Sequence, residues 1–318
     1  MQNLLLLSFA APQMWLQIVL FVVGIVVVLW GADRLTDGAV GLVIGLTIVA
    51  MGTSMPEFFV SLMSAIHGTP DLAVGNIVGS NIFNALFIVG CAAMVAPIAI
   101  VSGTVRKDIP FAIIASVVLL MLCLDSRISR IDAAILFVLF IYFMYATLHI
   151  SKQEQPAEET AQDEERLTMS MGKSLLLIIV GLTCLVLGSS VFVDNASAIA
   201  SSLGMSDALI GLTIVAGGTS LPELATSVVA ARRGNSGIAI GNVVGSNVFN
   251  ILMILGVTGL ITPMHIAGIS YTDLSVMVGS MILLWLFSFT KYRIERWEGA
   301  ALVLSFAGYM TYLISQAV

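Results

Sequence analysis

The sequence predicts an all-α polytopic membrane protein of ten transmembrane helices, built as two inverted five-helix repeats with discontinuous helices at the membrane midplane. Three observations lead there. Of 318 residues, 58% are hydrophobic and 10% charged, and the mean hydropathy is +1.04, outside the range of a soluble globular domain. Apolar runs of about 20 residues recur, each long enough to cross roughly 30 Å of hydrocarbon. A 46-residue block occurs twice: adding 166 to each number maps Gly45 through Gly90 onto Gly211 through Gly256 without a gap, with 26 positions identical.

Charged or Gly/Pro breaks divide the chain into spans at 14–34, 38–67, 71–95, 107–125, 130–150, 172–194, 206–232, 236–260, 270–290 and 296–317. The second, third, seventh and eighth are long, and interruptions are expected in each. Residues 4–11 resemble a short signal core, but no basic residue precedes them and a full span follows, so they read as a lead into the first helix. The expected division is 1–150 for the first repeat, with its core at 41–95, then an acidic linker at 151–171, then 172–318 for the second repeat, with its core at 207–260. Five spans per half is odd, so the second copy enters the membrane from the opposite face.

With the N-terminus outside, eleven of the thirteen Lys and Arg fall on the cytoplasmic side, leaving Arg127 and Arg130 outside. Both termini are therefore expected to be external, the linker cytoplasmic and the membrane the plasma (inner) membrane. Six of the nineteen acids lie in that linker, so the net charge of −6 says little about partners. The linker lacks the Asp/Asn alternation and Gly of an EF-hand loop and reads as solvated. Cys91, Cys123 and Cys184 stand alone in apolar runs as small hydrophobes. The expected partners are ions and the lipid bilayer. Nothing points to nucleic acid, and a monomer is sufficient.

The chemistry is carried by Gly52-Thr53-Ser54-Met55-Pro56-Glu57 and its copy Gly218-Thr219-Ser220-Leu221-Pro222-Glu223. A carboxylate at membrane depth is costly and calls for a functional explanation. Proline removes a backbone donor and glycine loosens the helix, so each motif is expected to break its helix and free carbonyl oxygens beside the acid. A second block, Gly75-Asn76-Ile77-Val78-Gly79-Ser80-Asn81-Ile82-Phe83-Asn84, returns as Gly241-Asn242-Val243-Val244-Gly245-Ser246-Asn247-Val248-Phe249-Asn250. Asn76, Ser80 and Asn84 share one helical face, and Gly75 and Gly79 are expected to let another helix approach, bringing Ser80 and Asn84 to Glu57.

No Lys or Arg lies mid-span to neutralise Glu57 or Glu223. Two facing carboxylates in low dielectric are unfavourable, and a bound cation resolves this. The available ligands are all oxygens: carboxylates, hydroxyls, amides and freed carbonyls. That set disfavours soft or borderline metals and suits calcium or sodium. For single hydroxyls and amides such as Ser61, Asn81 and Asn247, ordinary interhelical hydrogen bonding is an equal alternative. Asp33, Arg34, Asp37 and Asp194 lie near helix ends and read as snorkelling side chains. His67, His149 and His265 read as interfacial.

These blocks resemble the two alpha-repeats of the cation/calcium exchanger superfamily, in particular its prokaryotic sodium/calcium exchangers. The resemblance covers most of the chain in span count and order and is sharpest at 41–95 and 207–260. It implies that Glu57 and Glu223 are shared calcium and sodium ligands. It further implies that Thr53, Ser54, Thr219, Ser220, Ser80, Asn84, Ser246 and Asn250 complete the ion sites. Related proton-coupled exchangers carry a different motif at the acid, so Gly-Thr-Ser-x-Pro-Glu implies sodium coupling. Potassium-dependent members have Asp where this chain has Asn250, which implies potassium independence.

The function expected is a secondary antiporter exchanging sodium for calcium by alternating access, with no cofactor and no enzymatic activity. The resemblance also implies that the first and sixth spans slide as a pair, with Gly31 and Gly188 as places for them to bend. Calcium/proton exchange through the same carboxylates is the nearest alternative, and a calcium channel is an alternative of another class. An intramembrane hydrolase lacks a His-Glu-x-x-His motif or a nucleophile-and-base pair.

Overall fold

The structure is a computed structural model that describes residues 2–40, 45–151, 169–203, 216–266 and 268–317, most of them helical. The stretch expected to form the first repeat holds α1 (Gln2–Val40), α2 (Gly45–Thr53), α3 (Met55–Ile66), α4 (Pro70–Ile82), α5 (Val89–Val95), α6 (Ile109–Leu122) and α7 (Arg130–Ser151). The stretch expected to form the second holds α8 (Met171–Ser202), α9 (Ala216–Thr219), α10 (Leu221–Arg232), α11 (Ser236–Val248), α12 (Leu255–Ile261), α13 (Tyr271–Lys291) and α14 (Arg296–Ala317). Residues 4–11 continue into α1, as expected. The acids of the linker and the start of the second repeated block lie outside the described residues.

Among the described residues, seven helices are long and apolar enough to cross a membrane: Met14–Ala39, Pro70–Val95, Thr104–Asp125, Arg130–Thr147, Met171–Ser202, Ser236–Ile261 and Tyr271–Lys291. They coincide with the expected first, third, fourth, fifth, sixth, eighth and ninth spans. The expected second is split into α2 and α3, the described part of the seventh into α9 and α10, and the tenth is the 22-residue α14. The expected breaks in the third and eighth spans are not breaks. Each of these helices runs through a π-helical stretch, Phe83–Ile88 and Phe249–Ile254, that widens the turn without interrupting it.

Pro70–Val95 and Ser236–Ile261 are the centre of the molecule. They are 72% and 83% buried, whereas none of the other candidate spans exceeds 33%. α1 and α8 lie antiparallel along one flank. Gly24, Gly31 and Gly38 recur every seven residues on α1 and meet Gly188, Gly181 and Ser174 on α8. A Cβ on Gly38 would stand 2.7 Å from Ser174 O, and one on Gly31 would stand 2.9 Å from Gly181 O. Gly31 and Gly188 are close-packing positions in this structure, and both helices run unbroken through them.

The connecting segments fall into two groups by contact. In one, β1 (Ile98–Ala99) pairs antiparallel with β4 (Arg293–Ile294), and Ser236 Oγ accepts from Ala99 N. In the other, β2 (Arg127–Ile128) pairs with β3 (Met264–His265), Tyr271 donates to Leu124 O and Gly268 N donates to Asp71. The turn before β2 is fixed by Arg127 Nε on Asp125 at 2.6 Å. Asp33, Arg34 and Asp37 do not snorkel singly. Arg233, in the turn between α10 and α11, pairs with both acids, and Arg34 pairs with them from α1 itself.

Candidate cation site

The two Gly-Thr-Ser-x-Pro-Glu motifs break their helices in the same way. α2 ends at Thr53 and α3 begins at Met55, with Ser54 between them at φ −83°, ψ 9°. α9 ends at Thr219 and α10 begins at Leu221, with Ser220 at φ −89°, ψ 9°. Pro56 and Pro222 have no N–H to give to the carbonyls of Gly52 and Gly218, four residues back. Ser189 of α8 takes up the freed Gly218 O through its hydroxyl at 2.6 Å. Each serine stands at an N-cap, where its side chain would ordinarily bond the first turn of the helix. Neither does so. Each acid lies in the first turn of its helix, at the end where the macrodipole favours negative charge.

The serine hydroxyls instead cross between the repeats. Ser54 Oγ donates to Glu223 Oε1 at 2.9 Å, and Ser220 Oγ donates to Glu57 Oε1 at 2.9 Å. Each carboxylate is thus held by the break in the opposite half of the chain. Ser220 also lies 3.3 Å from Ser80 Oγ. Thr219 lies alongside Glu57, and Thr53 and Ser246 lie alongside Glu223. Thr53 Oγ1 lies 3.1 Å from Asn242 Oδ1 and 3.3 Å from Ala50 O, with one proton to share between them, while Ser246 donates to Ala50 O at 3.2 Å. These hydroxyl oxygens keep lone pairs for a further partner.

The other oxygen of each acid has no such support. Glu57 Oε2 and Glu223 Oε2, together with Asn84 Oδ1 and Asn250 Oδ1, are buried without a hydrogen-bond partner among the described residues. Buried acceptors left unpaired are costly, and unpaired charges far more so. All four are hard oxygen ligands carrying two formal negative charges, the donor set that calcium or sodium takes. No group of three or more His, Cys, Asp or Glu occurs among the described residues, so the arrangement does not resemble a zinc or iron centre.

The structure brings Ser220, Ser80 and Thr219 to Glu57, and Ser54, Thr53 and Ser246 to Glu223, while Asn84 and Asn250 are bonded to Asn247 and Asn81; all ten candidate residues are buried except the half-buried Thr219. The means of approach differs from expectation at Gly79. Nothing among the described residues lies within 4 Å of a Cβ built there, and Gly75 meets only Ile269. Close packing occurs instead in the second copy, where a Cβ on Gly245 would stand 2.8 Å from Ala50 Cβ. Asn76 and Asn242 act as braces, each donating to the backbone carbonyl of its acid and to Ser61 or Ser227. Their recurrence in both blocks was visible in the sequence, but their partners were not. Asn81 and Asn247, left open between site and scaffold, lie where α4 and α11 cross. Each donates to the other's backbone carbonyl, at 3.3 and 3.2 Å.

The chain matches the family described as sodium/calcium exchanger protein over residues 16–148 and 173–315. It belongs to that family. This exchanger is 38% identical to the putative antiporter CaxA of Alkalimonas amylolytica over 309 residues, covering 92% of this chain and 97% of the relative. It is 30% identical to the sodium/calcium exchanger MaX1 of Methanosarcina acetivorans over 308 residues, covering 85% and 88%. Its fold is similar to that of the solved sodium-calcium exchanger NCX_Mj, with a TM-score of 0.79 at 30% identity over 93% of this chain and 98% of that one. The chain is therefore a helical, multi-pass membrane exchanger, a transporter and not an enzyme.

Proposed function

We propose that this protein is a secondary-active antiporter exchanging sodium for calcium by alternating access, without a requirement for potassium. The observation that carries the proposal is the set of four buried, unpartnered oxygens on Glu57, Glu223, Asn84 and Asn250. A cation at their centre satisfies all of them at once and cancels the charge of the two acids. Calcium balances both carboxylates with one ion, and sodium does so with several. The hydroxyls of Thr53, Ser54, Thr219, Ser220, Ser80 and Ser246 are the remaining ligands in this reading. Asn250 is neutral, which supports potassium independence by leaving the site one charge poorer than an Asp would.

In the same reading the chain crosses the plasma membrane ten times as two inverted repeats, 1–150 and 172–318, joined by the cytoplasmic linker 151–171. The antiparallel packing of α1 on α8 and the two groups of connecting segments support opposite insertion of the halves. With both termini external, the Arg233 cluster and the β1–β4 pair lie on the cytoplasmic side, with most of the basic residues. An ion-free site carries up to two negative charges with nothing to balance them, so crossing without cargo is unfavourable and exchange becomes obligatory. If each cycle moves one net charge, a potential of about 100 mV biases it by about 2.3 kcal/mol.

The test is radiolabelled calcium uptake into proteoliposomes with sodium, proton and potassium gradients imposed one at a time. Sodium-driven uptake that potassium leaves unchanged is expected. Uptake driven by a pH gradient in sodium-free buffer overturns sodium coupling in favour of calcium/proton exchange. Downhill calcium flux with no counter-ion overturns antiport in favour of a channel.

A further inference from the structure

We propose that Asn81 and Asn247 are positioning residues that decide which atom of each site amide faces the ion. The inference rests on the cation-site reading above and deepens it. A backbone carbonyl can only accept, so Asn81, bonded to Asn247 O, must present its Nδ2 there. Its Oδ1 is thereby turned away and accepts from Asn250 Nδ2 at 3.1 Å. The related pair does the same: Asn247 Nδ2 is committed to Asn81 O, and its Oδ1 accepts from Asn84 Nδ2 at 3.0 Å. The remaining N–H of Asn247 reaches Met281 Sδ on α13 at 3.2 Å.

The chain of commitments ends at the ligand. With the Nδ2 groups of Asn84 and Asn250 consumed, their Oδ1 atoms are left on the other side, which is where both are unpartnered. An amide not held in this way has two orientations, one of which aims N–H at the site. That orientation would repel a cation, and it would offer a hydrogen bond to the unpartnered carboxylate oxygens, collapsing the empty site on itself. The lock keeps the ion-free site open. It also works only across the repeats, because Asn81 sets Asn250 and Asn247 sets Asn84. All four amides are at most 1% exposed, so water is not available to substitute for any of these bonds.

The experiment is a double-mutant cycle on the full-length protein in detergent, with calcium affinity measured by binding of the radiolabelled ion and stability by thermal unfolding without ions. Outer residues that orient a metal ligand typically change affinity by roughly 10- to 100-fold. Asn81→Ala and Asn250→Ala are each expected to weaken calcium binding in that range, and the double variant to bind no worse than Asn250→Ala alone. The losses in melting temperature are not expected to cancel in this way, because the bond from Asn81 to the Asn247 backbone survives in Asn250→Ala. Asn81→Ala that binds calcium like the wild type, or weakens it equally in both backgrounds, overturns the inference. The cycle of Asn247→Ala with Asn84→Ala tests it independently should Asn81→Ala fail to fold. A wild-type protein that does not bind calcium overturns the cation-site reading itself, whereas binding with an additive cycle overturns only the lock.

Discussion

Replacing Glu57 by Gln removes one of the two charges of the site while keeping the shape of the side chain. Ser220 holds Glu57 Oε1 at 2.9 Å, and the oxygen of the substituted amide can still accept that bond. The amide nitrogen is then forced into the position of Oε2, the buried atom without a partner. A cation ligand becomes a donor aimed at the cation. Truncating one partner of a buried charge pair costs about 2–5 kcal/mol, which corresponds to calcium binding weakened by roughly 30-fold to several thousand-fold. Glu223→Gln is expected to behave alike, because Ser54 holds Glu223 in the same way. The ion-free variants should be at least as stable as the wild type, since two buried like charges have been reduced to one. Calcium at 100 times its Kd stabilises a binding protein by about 2.7 kcal/mol, and at the same calcium concentration this increment should fall to about 0.9 kcal/mol or less in both variants. Thermal unfolding with and without calcium, paired with sodium-driven uptake in proteoliposomes, measures both effects. Wild-type uptake, or an undiminished calcium shift in melting temperature, would refute the role given to that acid.

Four further outcomes are expected. Ser54→Ala and Ser220→Ala each remove a hydrogen bond to a buried carboxylate and should lower ion-free stability by about 1.5–3 kcal/mol, to similar extents, in denaturation measurements. Asn250→Asp sets a carboxylate oxygen against Asn81 Oδ1 and adds a charge to the site, so sodium titration curves should shift more than calcium binding; unchanged sodium curves count against its placement as a ligand. Gly38→Val drives a side chain into Ser174 O and should destabilise the α1–α8 pair by about 1–3 kcal/mol, seen as a lower melting temperature. Arg233→Gln strips the shared partner from Asp33 and Asp37, whose side chains are about a third exposed, and should cost about 1 kcal/mol at low salt, with the loss shrinking as salt is added.

The parts of this exchanger that sequence reasoning reached are those whose cause is local. Pro56 and Pro222 remove a backbone donor wherever they are placed, so the two breaks and the acids beside them could be read directly. The repeat made the second site legible from the first. The π stretches at Phe83–Ile88 and Phe249–Ile254 were not legible as such, because a wider turn reflects a shifted hydrogen-bond register that no residue type dictates. The close packing at Gly31 and Gly188 was not legible for a related reason. A glycine within an apolar run permits either a bend or a close neighbour, and the neighbour shows only once the matching seven-residue spacing on a second helix is set beside it. Arg233 was assigned to a face but not to its partners, since pairing with Asp33 joins residues 200 positions apart.

The exchange of contacts between halves bears on how such a site can open. Glu57 is held by Ser220, Glu223 by Ser54, Asn84 by Asn247 and Asn250 by Asn81, so each of these proposed ligands is held by the half to which it does not belong. A motion that separated the two repeats at their centre would release acids and amides together, leaving unpaired buried groups in hydrocarbon. The central helices are therefore the costly place to move. The flanking α1–α8 pair has fewer polar ties to them: the partly exposed ion pairs of Asp33 and Asp37 with Arg233, each worth about 1 kcal/mol or less, and the Ser189 hydroxyl on Gly218 O. In the proposed antiport, displacement of that pair would leave the four crossed hydrogen bonds of Glu57, Glu223, Asn84 and Asn250 intact and break the bond of Ser189 to Gly218 O instead, so Ser189→Ala is expected to change transport rate more than calcium affinity.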